Sequence, residues 1–236
     1  MINILKNKKV YIGLLTSILI IILIILTIRY FRSFTNIIEF PHDAKIKFTA
    51  PHKQTRFSQV SKGLNFTQSF WIYIKDWNYR FMNEKFILDK GGFLIYLGSK
   101  NNNLYIEIPV LNKTRPEQIV YENLPVQKWI NIVVLLENRY LDIWLNGKLY
   151  HSKHLENVPD LKPKSDIIYL PNGGFYGYIS RIYHYENNIS KSKIKDIFKS
   201  GPINKNPLYK LVLLVKKIFS KKPINKNSTK CNKKRN

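Results

Sequence analysis

The chain has one cysteine in 236 residues, two methionines, and 15 acidic side chains against 39 Lys and Arg. Cys231 alone can form neither an intramolecular disulfide nor a Cys-based zinc site, and its position near the end argues against a buried catalytic thiol. Other absences are as informative. There is no P-loop, no GxGxxG, no GxSxG and no D-x-[DN]-x-[DN]-G calcium loop, which removes the common nucleotide, serine-hydrolase and EF-hand readings. His151 and His154 lie three apart on an extended run and face opposite ways, so they share no metal. His42, His52 and His184 are scattered, and the sequence predicts no metal centre.

The shortage of acids leaves a formal charge of +24. Lys, Asn and Ile are what AT-rich codons specify, so the distribution of charge says more than its total. Residues 1–40 carry +4, residues 41–196 carry +8, and residues 197–236 carry +12 with no acid at all. Half of the excess lies in the last forty residues. A basic surface of this kind points to anionic partners.

Long apolar runs are rare, with one exception. Val10 to Ile28 is uncharged over nineteen residues; as a helix rising ~1.5 Å per residue it would cross a ~30 Å hydrocarbon core. A cleaved signal peptide would have a shorter apolar stretch ending in small residues, whereas Arg29-Tyr30-Phe31-Arg32 follows here. The expectation is a basic N-terminus (1–9), a retained single-pass transmembrane helix (10–28) and a linker (29–54). Lysines before the span and basic residues after it nearly balance, so orientation is left open.

From residue 55 onward the pattern turns to short alternating runs rich in Ile, Val, Tyr, Phe and Trp. Strands are expected at 66–74, 85–89, 93–97, 104–108, 118–121, 129–137, 140–145, 148–152, 166–170 and 175–185. Ten strands with no helix between them predict an all-β, antiparallel two-layer fold. Asn146-Gly147 predicts a type I′ hairpin, because both central positions need φ > 0, and Asn138-Arg139 predicts another tight turn. Trp129–Leu136, apolar on both faces, reads as a central strand; Trp71 and Trp129 read as core. Ser190 is placed to cap a short helix through Ser200 with Ile194, Ile197 and Phe198 on one side.

Residues 203–236 read as a basic amphipathic helix followed by a disordered tail. Leu208–Phe219 is too short to span a bilayer but suits the interface, with Lys210, Lys216, Lys217, Lys221 and Lys222 meeting anionic lipid. Docking of this helix on the protein body is the alternative. The tail has few interleaved aromatics, so specific nucleic-acid recognition by stacking is not expected.

The stretches FTQSFWIYI (66–74), LPVQKWINIVVLLENRYLDIWLNGKL (124–149), GGFYGYISRIYHYENNIS (173–190) and KSKIKDIFKSGP (191–202) resemble, in this order, the laminin G-like branch of the concanavalin A-like lectin/glucanase superfamily. The resemblance covers residues 55–202 and implies a jelly-roll sandwich. Membrane-tethered, AT-biased versions are similar to proteins of large DNA viruses, which would put the chain in a virion or host membrane. Relatives include lectins, adhesion modules, glycosidases and structural domains, so the residues must decide.

Glycosidase chemistry needs two carboxyl groups across the scissile bond. The E-x-D-x-x-E strand of the glucanase relatives is missing here; Asp142 stands alone on its strand, and Glu84 and Asp89 are an odd number apart. A non-catalytic module needs only rings and polar groups on a rigid scaffold. Two places offer them: Asp76-Trp77-Asn78-Tyr79-Arg80 beyond the first long strand, and Tyr140, Asp142 and Trp144 on one strand face. Edge packing and sheet packing are the alternative roles for these rings. Laminin G-like relatives imply calcium as an option, through Asp76 or Asp89; no other cofactor is indicated. Four sequons, at Asn65, Asn112, Asn188 and Asn227, matter only on a lumenal or external face. The leading expectation is a membrane-tethered, non-catalytic module for a glycan or glycoprotein; a membrane or virion scaffold is the alternative, and a glycosidase with a rearranged site the third.

Overall fold

The computed structural model describes residues 11, 13–23, 35–60, 63–162 and 164–203. Fourteen strands occur among them: β1 (Thr35–Ile38), β2 (His42–Asp43), β3 (Phe48–Ala50), β4 (Ser58–Val60), β5 (Gly63–Asp76), β6 (Lys85–Lys90), β7 (Phe93–Leu97), β8 (Leu104–Ile108), β9 (Glu117–Tyr121), β10 (Trp129–Asn138), β11 (Tyr140–Leu145), β12 (Lys148–His154), β13 (Ile167–Tyr169) and β14 (Tyr176–Tyr185). Their pairings are antiparallel. One sheet runs β1-β14-β5-β10-β11-β12, with β2 on β14 and β4 on β5; the other runs β3-β13-β6-β7-β8-β9. This is the expected two-layer sandwich.

The two sheets face each other through alternate residues of their strands. Phe66, Phe70, Ile72 and Ile74 of β5 and Ile130, Ile132, Val134 and Leu136 of β10 belong to one buried cluster with Ile95, Leu97, Ile106 and Ile108 of the second sheet. Each such side chain contributes ~1.5–3 kcal/mol on burial. The hairpins are as the sequence predicts. Leu145 pairs with Lys148 across Asn146-Gly147, whose φ values are 50° and 73°, and Glu137 pairs with Tyr140 across Asn138-Arg139.

The helix Lys191–Lys199 explains why β10 is apolar on both faces. Ser190 caps it, its Oγ accepting the Lys193 N–H at 3.3 Å. Ile194 then packs with Val133, Leu135 and Trp144, while Ile197 packs with Tyr183 and Tyr185. Phe198 stacks on Trp71 at 5.8 Å. Trp71 is therefore buried under the helix on the outer face of the first sheet, not between the sheets, and Trp129 is only half-buried, beside Tyr73. Arg181, at a bulge in β14, donates to the carbonyls of Ser200 and Gly201 at 2.9 and 3.0 Å and so holds the end of the helix.

One assignment is corrected. Residues 35–50, expected as linker, supply β1, β2 and β3 and edge both sheets. These strands are two to four residues long and lack a readable alternation; distant pairing defines them. The span expected at 10–28 is helical where described, at Tyr11 and residues 13–23, and its remainder lies outside the described residues. No helix among the described residues is long and apolar enough to cross a membrane. The basic helix and tail with Lys210, Lys216, Lys217, Lys221 and Lys222 also lie outside the described residues.

Candidate binding site

The predicted site residues separate. Asp76 ends β5, and its Oδ1 accepts the Asn78 N–H at 3.0 Å, which makes it a turn-former. Trp77 packs against the core, with the Lys85 ammonium 5.1 Å from its ring centre. Lys85 is itself buried, and burial followed by the charge of Arg80 pulls its pKa below the usual lysine range. Its Nζ donates to the Gly98 carbonyl at 3.2 Å, tying the start of β6 to the β7–β8 turn. Asn78 is exposed, and Tyr79 lies 6.3 Å from Tyr176.

The second predicted surface is broken up. Trp144 is covered by the helix Lys191–Lys199, Asp142 accepts a hydrogen bond from the Ser152 hydroxyl, and only Tyr140 stays open, its ring edge-on to His154 at 4.8 Å. Alternation correctly puts the three on one face. What it cannot show is that a later helix folds back over one end of that face.

The outer face of the second sheet carries a different constellation. Cross-strand register aligns Phe86, Tyr96, Tyr105 and Val120 in one row over β6 to β9. Phe86 and Tyr96 rings lie 5.4 Å apart, and Tyr96 and Tyr105 stack at 5.1 Å with planes 7° apart. A second row, one pleat away, aligns Asp89, Leu94, Glu107 and Gln118. Neighbours within a row are ~4.8 Å apart across the strands, and the two rows are separated by two residues along each of β7 and β8, ~6.6 Å, so rings and polar groups lie side by side at the scale of small polar ligands.

Hydrogen bonds hold the rows together. The Tyr96 hydroxyl donates to Glu107 Oε1 at 2.6 Å, and Gln118 Nε2 donates to the same oxygen at 2.6 Å. Burial, and then the Glu107 carboxylate, push the Tyr96 pKa up, so this hydroxyl keeps its proton as a donor. Asn101 Nδ2 donates to the Tyr105 hydroxyl at 3.2 Å. Gln118 is exposed, and Phe86, Tyr105 and Glu107 are half-buried. A sequence reading misses this face because β6, β7 and β8 each contribute a single ring to the aromatic row, which exists only once the register of two hairpins is known.

No group of three His, Cys, Asp or Glu side chains positioned to hold a metal ion occurs among the described residues. A buried polar cluster lies elsewhere, between the sheets: Lys90 donates to the Thr55 carbonyl, and His184 contacts the Arg56 carbonyl at 2.7 Å and Gln68 Oε1 at 3.2 Å. It is closed off from solvent.

Residues 46–195 match a laminin G-type family model of the concanavalin A-like lectin/glucanases superfamily. The chain belongs to that superfamily. Solved structures agree in fold. A botulinum neurotoxin serotype D binding domain is similar at 16% identity and a TM-score of 0.50, over 66% of this chain and 47% of that one. A receptor-binding domain of botulinum neurotoxin mosaic serotype C/D is similar at 14% identity and a TM-score of 0.50, over 71% of this chain and 45% of that one. This chain thus spans under half the length of either. No curated protein matches it.

Proposed function

We propose that the protein is a membrane-tethered, non-catalytic recognition module that binds a glycan or glycoprotein on the outer face of its second sheet. The observation that carries this reading is the pair of parallel rows, Phe86-Tyr96-Tyr105 beside Asp89-Leu94-Glu107-Gln118, the second polar at every position but Leu94. The half-buried Phe86 and Tyr105 offer apolar surface to sugar C–H groups, with the buried Tyr96 packed between them as their support, while Glu107 and Gln118 offer an acceptor and donors to hydroxyls. A rigid sheet fixes both rows at little ordering cost. That its structural neighbours are binding and receptor-binding domains favours binding over catalysis. The apolar stretch 10–28 anchors the chain as a single-pass span in a host or virion membrane, and Lys210, Lys216, Lys217, Lys221 and Lys222 hold the C-terminal segment on anionic lipid.

A glycan array probed with the full chain in mild detergent, with and without calcium, tests the reading. Binding to a defined set of glycans that Tyr105→Ala abolishes, while the fold is retained, supports it. Silence of the folded protein across the array refutes it and leaves the scaffold role.

A further inference from the structure

The two rows run across the sheet toward β9, and beyond β9 the surface drops into a cavity of about 550 Å³ lined by Lys113, Arg115, Glu117, Gln118, Lys153 and Glu156 among others. Gln118 belongs to both: its amide closes the polar row, and its strand forms the cavity wall. The cavity is a seam where the edge strands of the two sheets meet, bridged by Lys153, whose Nζ donates to the Gln118 carbonyl at 3.4 Å.

Its charges are arranged in two depths. At the bottom sits Glu117, whose side chain is 4% exposed. One of its oxygens accepts the Glu156 N–H at 2.8 Å, and its carboxylate lies 3.1 Å from the Lys153 ammonium and 3.8 Å from that of Lys113. Burial alone would raise the pKa of Glu117, but the Glu156 N–H and the two lysines outweigh it and hold the group below the usual carboxylate range. Glu117 therefore pins both ammonium groups to the wall. At the mouth, Lys113 also meets the carboxylate of Glu156 at 2.5 Å, yet that side chain is 69% exposed, and an ion pair so open to water is weakly held. Arg115 is exposed and makes no ion pair among the described residues.

We infer that this cavity is an end subsite for an acidic sugar residue, one carrying a carboxylate or a sulfate, at the terminus of a glycan laid along the two rows. The inference rests on the binding face proposed above. Glu156 marks the place: its carboxylate occupies the position beside Lys113 that the ligand's anion takes over, swinging out to solvent when it does. Arg115 supplies the forked donor for planar or tetrahedral oxyanions, and the lysines, already ordered by Glu117, pay little for the new contact.

The test measures affinities of the full chain in detergent, by calorimetry, for chitotetraose, a hyaluronan tetrasaccharide and a chondroitin 4-sulfate tetrasaccharide. The hyaluronan probe isolates the carboxylate and the chondroitin probe adds sulfate. At least one acidic probe is expected to bind about tenfold more tightly than the neutral one, the worth of one charge-assisted hydrogen bond. In Lys113→Ala/Arg115→Ala that ratio falls to near one. Glu156→Gln, which removes the internal competitor, raises affinity for the acidic probe about threefold, an effect that a merely structural Glu156 would not give. Equal binding of neutral and acidic probes, or an acid preference that survives Lys113→Ala/Arg115→Ala, overturns the subsite and leaves the binding face standing. No binding of any probe, together with silence on the array, overturns both.

Discussion

His184 makes the sandwich sensitive to acid in a way that can be calculated. Its ring is 1% exposed, between the strap at Arg56 and Gln68 of β5. Burial drives its pKa down to about 4 from 6.5, the Arg56 carbonyl partly opposes this, and the charge of Lys90 adds to it. In the unfolded chain the imidazole takes up a proton near pH 6.5; in the folded chain it does so only near pH 4. Over that window the unfolded state holds the extra proton, so stability falls as pH falls. At ~1.4 kcal/mol per pH unit, the loss between pH 7 and pH 4 is about 3 kcal/mol, a large part of the 5–15 kcal/mol typical of a domain. Urea unfolding, followed by tryptophan fluorescence at pH 7, 6, 5 and 4, reads this directly. His184→Gln keeps a donor for the Arg56 carbonyl and is expected to lose about 3 kcal/mol less than the wild type over the same range. Glu117 adds its own acid lability, but equally in both proteins. Parallel curves for the two would refute the reasoning.

Other outcomes follow from the same geometry. Lys90 is also buried, and burial lowers its pKa to about 8, so the cost of folding around its charge is complete below pH 8 and disappears as pH rises toward 10.5; Lys90→Met should narrow its stability gap to the wild type by ~2 kcal/mol between pH 8 and pH 9.5, read from unfolding midpoints. Ile194→Ala should cost about 2–5 kcal/mol and shift tryptophan emission to the red as Trp144 loses its cover. Gly147→Val should weaken the β11–β12 hairpin by ~1–3 kcal/mol, since φ is +73° there and a Cβ would stand 3.1 Å from Phe198; thermal unfolding checks it. Replacing Lys210, Lys216, Lys217, Lys221 and Lys222 by Gln should reduce salt-sensitive flotation with phosphatidylserine vesicles at ~1 kcal/mol per lysine.

What was readable in the sequence is local. Asn146-Gly147 announced its turn because few residues tolerate φ > 0 twice in succession, and Ser190 announced its helix because its side chain caps the backbone three residues on. β7, β8 and β11 were placed to the residue by alternation bounded by turns. The short strands in 35–50 are not, since two to four residues carry no readable period and their partners lie far along the chain. The aromatic row on the second sheet escapes a sequence reading for the same reason. Trp77 and Tyr79, two residues apart in sequence, read as a cluster, yet Trp77 packs on the core and Tyr79 lies beside Tyr176, whereas Phe86, Tyr96 and Tyr105 are spread over three strands and meet only through register.

The pairing of β1 with β14 reaches beyond architecture. Thr35 opposes His184 and Asn36 opposes Tyr183, so the first strand of the sandwich finds its place only when the last one exists. Contacts of such span raise contact order and slow folding. A ribosome that has released residues up to β12 has delivered both central strands, β5 and β10, with one flank of β5 still open where β14 will lie. That open flank is a template for strand addition by other chains. The stretch 35–50 is thus a late-closing seam, and its removal would leave β14 as an uncovered edge open to pairing with other chains.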